Sequence, residues 1–144
     1  MIKERSAGAV VFHENKSRKY LLLKYAGKEH EYWDFVKGNI EKNENEKETV
    51  VRELKEETGI DNVDFIVGFK EKIHFFYKRD DKLISKDVVF YLLKTDETKV
   101  KISFEHIGYD WLEYEKALKQ ATFKNAKDIL KKAEAFLKKR LTNY

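Results

Sequence analysis

At 144 residues and 17.2 kDa the chain suits one compact core, and its 42% apolar and 14% aromatic content excludes intrinsic disorder despite 39% charged residues. The absence of cysteine excludes disulfides, thiolate metal sites and cysteine nucleophiles, so any metal must rest on oxygen or imidazole. Thirty Lys and Arg against 26 Asp and Glu give a net charge of +4, most of it lysine, and a solvated helix face near the C-terminus accounts for it as well as a polyanion site does.

Ser6–His13 and Lys19–Tyr25 are strand-like runs around a polar turn, Glu14–Arg18, which predicts a hairpin. Trp33–Val36 predicts a short strand, and polar Lys37–Asn45, which contains Gly38, predicts a loop. Over Glu46–Thr58 the apolar spacing becomes helical, with Val50, Val51 and Leu54 on one side and Gly59 placed to end the helix. Val63–Tyr77 and Asp87–Lys94 predict the arms of a long hairpin around the charged turn Lys78–Lys86. Glu113–Gln120 and Phe123–Leu141 return to helical spacing, the second with an apolar stripe of Ala126, Ile129, Leu130, Ala133, Phe136, Leu137 and Leu141. No apolar run reaches the roughly 18 residues of a membrane span and the N-terminal run is too short for a signal-peptide core, so an untargeted cytoplasmic protein is expected. The order of elements predicts one domain over residues 1–144, of the α/β class, with helices packed on a mixed β-sheet.

Glu53, Glu56 and Glu57 fall within an arc of about 100° on the predicted helix, bordered by Val50 and Leu54. Crowded carboxylates repel one another unless a cation compensates, and hard oxygen donors suit Mg²⁺, with Mn²⁺ as a substitute. Such ions neutralise phosphate oxygens and activate water. Taken alone, the three acids read first as a solvated face paired with lysines.

They belong to a longer string. Gly38, five residues, Glu44, seven residues and then Arg52-Glu53-Leu54-Lys55-Glu56-Glu57-Thr58-Gly59-Ile60 resembles the Nudix box. In this composition a chance match has a probability on the order of 10⁻⁷, which sets coincidence aside. The resemblance implies the Nudix fold, a mixed sheet sandwiched between α-helices, and hydrolysis of a nucleoside diphosphate linked to another moiety. It further implies Glu53, Glu56 and Glu57 as divalent-metal ligands, Arg52 as the group orienting Glu53, and Glu44 as a brace between loop and helix.

Outside the box, Ala7-Gly8-Ala9-Val10, Trp33 ahead of Lys37-Gly38, Gly68-Phe69-Lys70, Lys86-Asp87-Val88-Val89-Phe90-Tyr91, Glu105-His106 through Trp111-Leu112, and Phe123-Lys124 are similar to the asymmetrically cleaving diadenosine tetraphosphate hydrolases. The chain departs from that pattern at Val36, where proline is usual, and at Lys42-Asn43, where Pro-Gly is usual. These changes alter loop stiffness and path but remove no catalytic side chain.

The same likeness implies Lys37, with Gly38 beside it, and Lys86 as a phosphate clamp, although either is by position alone one surface lysine among 25. Trp33, Phe75, Tyr77, Tyr109 and Phe123 are the candidates for stacking on a base, each weighed against core packing. His74 and His106 lack the spacing of a ligand pair and are expected to be structural. Glu105 is expected to serve as water-activating base or as an additional metal ligand. The expected protein is a monomeric Mg²⁺-dependent hydrolase of small nucleotides, without a membrane partner, that cuts diadenosine tetraphosphate to ATP and AMP. The alternatives are a hydrolase of a damaged nucleoside triphosphate, a hydrolase of a triphosphorylated RNA 5′ end (the one nucleic-acid partner considered), and a non-catalytic nucleotide-binding module.

Overall fold

The computed structural model describes residues 1–142, without the side chains of the last two of these. Among the described residues the order is β1 (Ile2–Asn15), β2 (Ser17–Tyr25), β3 (Tyr32–Asp34), β4 (Val36–Asn39), α1 (Glu46–Thr58), β5 (Val63–Phe65), β6 (Glu71–Arg79), β7 (Lys82–Thr95), β8 (Gly108–Leu112), α2 (Tyr114–Gln120) and α3 (Lys124–Thr142). No described helix is long and apolar enough to cross a membrane.

The strands form one mixed sheet. Its spine runs β3-β2-β1-β7-β5, with β4 on β1, β6 on β7 and β8 on β2. The β1–β7 ladder is parallel and the remaining pairs are antiparallel. Near-continuous apolar runs in β1, β2 and β7 explain the layering, because such strands must be covered on both faces. Ala7, Ala9, Val11, Leu21, Leu23, Val89, Tyr91 and Leu93 meet Val50 and Leu54 of α1 on one face. On the other, Val10, Phe12, Tyr20, Leu22, Val88, Phe90 and Leu92 meet Ala117 of α2 and Ala126, Ile129, Leu130 and Ala133 of α3. This is the expected sheet between helices.

Several boundaries differ from the sequence expectation. The first turn narrows to Lys16, with φ of 70°, because β1 and β2 pair up to Asn15 and Ser17. Lys37, Gly38 and Asn39 belong to strand β4 rather than a loop, since pairing with β1 satisfies backbone groups that polar side chains cannot reveal. The run Val63–Tyr77 is broken at residues 66–70, where Gly68 has φ of 97°, into separate strands that both pair with β7. The second turn is Asp80-Asp81, both at positive φ, not the longer charged segment. Gly108–Leu112 is a strand against β2, with no alternating pattern strong enough to announce it. The side chain of Leu141, expected on the apolar stripe, lies outside the described residues.

Candidate active site

The site grows from the start of α1. Asn45 caps the helix by accepting from the Glu48 amide at 2.8 Å, while the Glu48 carboxylate accepts from the Asn45 amide at 3.0 Å. Just before the cap, Glu44 accepts from Thr49 Oγ1 at 2.6 Å and from the Glu41 amide at 3.1 Å. Arg52 reaches back to both Glu44 oxygens, at 2.7 and 3.0 Å, and also donates to the Asn39 carbonyl at 3.1 Å. The β4 strand, the loop and the helix are thereby tied at one guanidinium. Its bonds hold the Glu44 carboxyl down at about 2, with the Thr49 bond next in importance.

Arg52 also donates to Glu53 at 2.9 Å and to Glu56 at 3.2 Å, but these two acids differ in setting. The Glu53 side chain is 13% exposed and that of Glu56 is 57% exposed. Glu57 is 2% exposed. Among the described residues, Glu53, Glu57 and Glu105 each bring a carboxylate oxygen to within 4.8 Å of the others, and Glu56 lies outside this group. Burial raises Glu53 despite its bonds to Arg52, and it pushes Glu57 up to about 8. Glu57 Oε1 accepts from the Tyr25 hydroxyl at 2.7 Å, whereas Oε2 is buried and receives no donor among the described residues. A buried carboxylate oxygen without a donor, on an acid grouped with two further carboxylates, is a fit for a hard divalent cation, which would favour its ionised form.

Glu105 arrives from far along the chain on a segment tethered at several points. The Lys101 amide donates to the Thr58 carbonyl at 2.9 Å and the Ile107 amide to the Lys24 carbonyl at 2.7 Å. His106 is buried, its Nε2 facing the Glu57 carbonyl and its Nδ1 the Gly108 carbonyl. Gly59, with φ of 79°, ends α1 in the left-handed conformation that glycine tolerates and lets the chain turn away beneath this segment.

Beside the carboxylates lies a pocket of about 510 Å³ lined by Tyr32, Asp34, Lys37, Ile73, Phe75, Phe90, Phe123, Asn125 and Ala126. Two contacts join it to the cluster. Lys37 precedes Gly38, whose Cα packs against the Glu53 carboxylate, and Tyr32 stacks on Tyr25 with ring centroids 5.1 Å apart. Tyr32 also meets Phe123 at 5.3 Å. Lys37 pairs with buried Asp34 at 3.2 Å. Lys86 is half-buried; burial and then the Lys37 charge lower its pKa, so the two ammonium groups together favour an anion nearby.

Of the aromatic candidates, Phe75 and Phe123 line the pocket. Trp33 packs on the core beneath Lys24, Tyr77 bonds Glu4 under Lys86, and exposed Tyr109 is not among the lining residues. His74, on the exposed face of β6 opposite Ile73 and Phe75, bonds Ser85 Oγ at 2.7 Å. Tyr25, Tyr32, Asp34, Phe90 and Asn125 escape a sequence reading, because each is an ordinary strand or helix-start residue until pairing assigns its face. Only the Asn45–Glu48 cap carries a local signal, its Asn-x-x-Glu spacing.

Residues 3–133 match the NUDIX domain. The chain is 31% identical to the asymmetrical bis(5′-nucleosyl)-tetraphosphatase of Mus musculus over 144 residues, covering 92% of this chain and 95% of that protein. It is 30% identical to the enzyme of the same name from Caenorhabditis elegans, covering 92% and 96%. A crystal structure of a C. elegans Ap4A hydrolase binary complex superposes with a TM-score of 0.76 at 28% identity, over 93% of this chain and 97% of that one.

Proposed function

The chain belongs to the NUDIX family of pyrophosphohydrolases, and from that premise we propose that its substrate is a dinucleoside polyphosphate, with diadenosine tetraphosphate cut asymmetrically to ATP and AMP. The observation that carries this reading is the junction of an aromatic-walled pocket with a three-carboxylate cluster, made where pocket residue Tyr32 stacks on Tyr25, the residue bonded to Glu57. A flat base suits the pocket, and a polyphosphate suits Lys37 on its wall with the charge of Lys86 close by. The full-length likeness to two tetraphosphatases supports the same substrate.

NUDIX hydrolases use a divalent metal, and here Glu53, Glu57 and Glu105 converge to hold one, with Glu56 on the outer side of the same helix. We assign the ion as Mg²⁺, replaceable by Mn²⁺, and when bound it supplies charge neutralisation at the phosphate and acidifies water. The protein's own groups then have separate tasks. Tyr32, Phe75 and Phe123 seat a base, while Lys37 and Lys86 oppose the negative charge that develops during displacement. Arg52, locked by Glu44, holds Glu53 in place. Glu105, exposed, would give the ion only one of its oxygens, and the other takes a proton from the attacking water as a new P–O bond forms and one phosphoanhydride P–O bond breaks. The whole chain, 1–144, acts as one domain and as a cytoplasmic monomer; cluster and pocket lie on a single chain and the proposed substrate is a soluble nucleotide.

Product analysis with diadenosine tetraphosphate and Mg²⁺ tests the reading. ATP plus AMP is expected, and two ADP would reject asymmetric cleavage. Equal rates on a mononucleoside triphosphate or a triphosphorylated RNA end would reject the substrate class. No turnover of any nucleotide would leave a binding module.

A further inference from the structure

Tyr25 ends β2, on the opposite side of the cluster from Glu105 in sequence but in contact with its partner acid. Its hydroxyl donates to Glu57 Oε1 at 2.7 Å. Its ring is clamped between two neighbours: Tyr32 stacks on it at 5.1 Å with planes 18° apart, and His106 meets it edge-on at 6.3 Å. His106 in turn faces the Glu57 main-chain carbonyl, so two touching rings grip Glu57, Tyr25 at its side chain and His106 at its backbone. With Oε1 committed, Oε2 is the oxygen left without a donor, and it is buried within a residue only 2% exposed.

We infer that Tyr25 is a positioning residue for metal binding, its hydroxyl occupying one oxygen of Glu57 and thereby presenting the other to the cation shared with Glu53 and Glu105. This rests on the reading of Glu57 as a metal ligand. A carboxylate free to rotate would spread its two oxygens over several arrangements, and an outer hydrogen bond restricts it to one. The rigid ring stack makes that bond a fixed reference, not a swinging side chain.

The test is Mn²⁺ titration of the metal-free protein without nucleotide, followed by the electron paramagnetic resonance of free Mn²⁺. Wild type, Tyr25→Phe, Glu57→Gln and the double variant are compared. Phenylalanine keeps the ring packing, and far-UV circular dichroism verifies the fold. Tyr25→Phe is expected to weaken Mn²⁺ by about 10- to 100-fold, to leave the nucleotide KM at saturating metal unchanged, and to add no further loss in the Glu57→Gln background. Wild-type Mn²⁺ affinity in Tyr25→Phe beside a weakened Glu57→Gln would overturn the role of Tyr25 alone. So would the same loss in both backgrounds, which marks a packing effect that bypasses Glu57. Wild-type affinity in Glu57→Gln would instead overturn the metal reading, and this inference with it. A Tyr25→Phe chain that loses its fold would be replaced by Tyr25→Leu, which carries no side-chain donor and is held to the same outcomes.

Discussion

A Cβ on Gly38 would stand 2.0 Å from Cδ of Glu53, so β4 and α1 meet at a point where only a hydrogen atom fits. The glycine has no positive φ to satisfy; its function is close approach. Gly38→Ala is expected to displace the Glu53 carboxylate rather than the backbone, because the crowded atoms are the end of a flexible side chain. A shift of about 1 Å at a reacting group costs roughly 10²-fold, so kcat should fall by that order with the fold retained. Steady-state kinetics with circular dichroism decides, and a wild-type kcat would show that the position of Glu53 is immaterial.

The acids of α1 are expected to separate by their setting. Glu53→Gln and Glu57→Gln each remove an anionic donor from the cluster and should lower turnover by roughly 10² or more. Glu56→Gln alters an exposed side chain paired with Arg52 and should cost less than either. EDTA should abolish activity and added Mg²⁺ restore it. Near-normal rates in Glu57→Gln would remove it from the site.

Glu105→Gln should lower kcat by roughly 10² with little change in KM, because a base acts on the chemical step and not on base or phosphate recognition. Full kcat from about pH 6 to 9 in this variant would transfer the base role to another carboxylate.

Recognition is expected to divide between charge and stacking. Lys37→Ala should raise the barrier by about 2 to 4 kcal/mol through lost electrostatic stabilisation, while Phe123→Ala should chiefly raise KM. An unchanged kcat/KM in Lys37→Ala would return that lysine, already paired with Asp34, to a structural role.

Stability of the metal-free protein should depend on pH through Glu57. Its folded-state value is about 8 against 4.5 ordinarily, so between those values the native state keeps a proton that the unfolded chain releases. The contribution is complete below the lower value and is lost as pH rises to the upper one. Melting temperature should therefore fall from pH 5 to pH 8, and Mg²⁺, which favours the ionised form, should oppose the fall. Thermal denaturation of Glu57→Gln should show a shallower decline; an equal decline would reject the assignment. Glu44, held at about 2 by Arg52, acts with the opposite sign: its contribution is lost only as pH drops from 4.5 toward that value.

What the chain settles locally, it announces. The helix from Glu46 to Thr58 and its stop at Gly59 are written in spacing alone, since 3.6-residue periodicity and a left-handed cap depend on neighbours in sequence. The Gly38-to-Ile60 string places Glu44, Arg52 and the three acids within reach of one another for the same reason. Yet Glu56 and Glu57, adjacent and chemically identical, part company: one turns to solvent and the other is enclosed, because what covers that side of α1 comes from β2 and from the segment around His106. The arrival of Glu105 beside Glu53, the hydroxyl of Tyr25 on Glu57, and the pocket walls drawn from β3, β6, β7 and α3 all depend on strand register across long loops. Register also decides why Phe75 lines the pocket while Tyr77, two residues on and on the same face of β6, bonds Glu4 beyond it. A period of two tells which residues share a face, but only tertiary pairing tells where along that face the ligand-sized space opens.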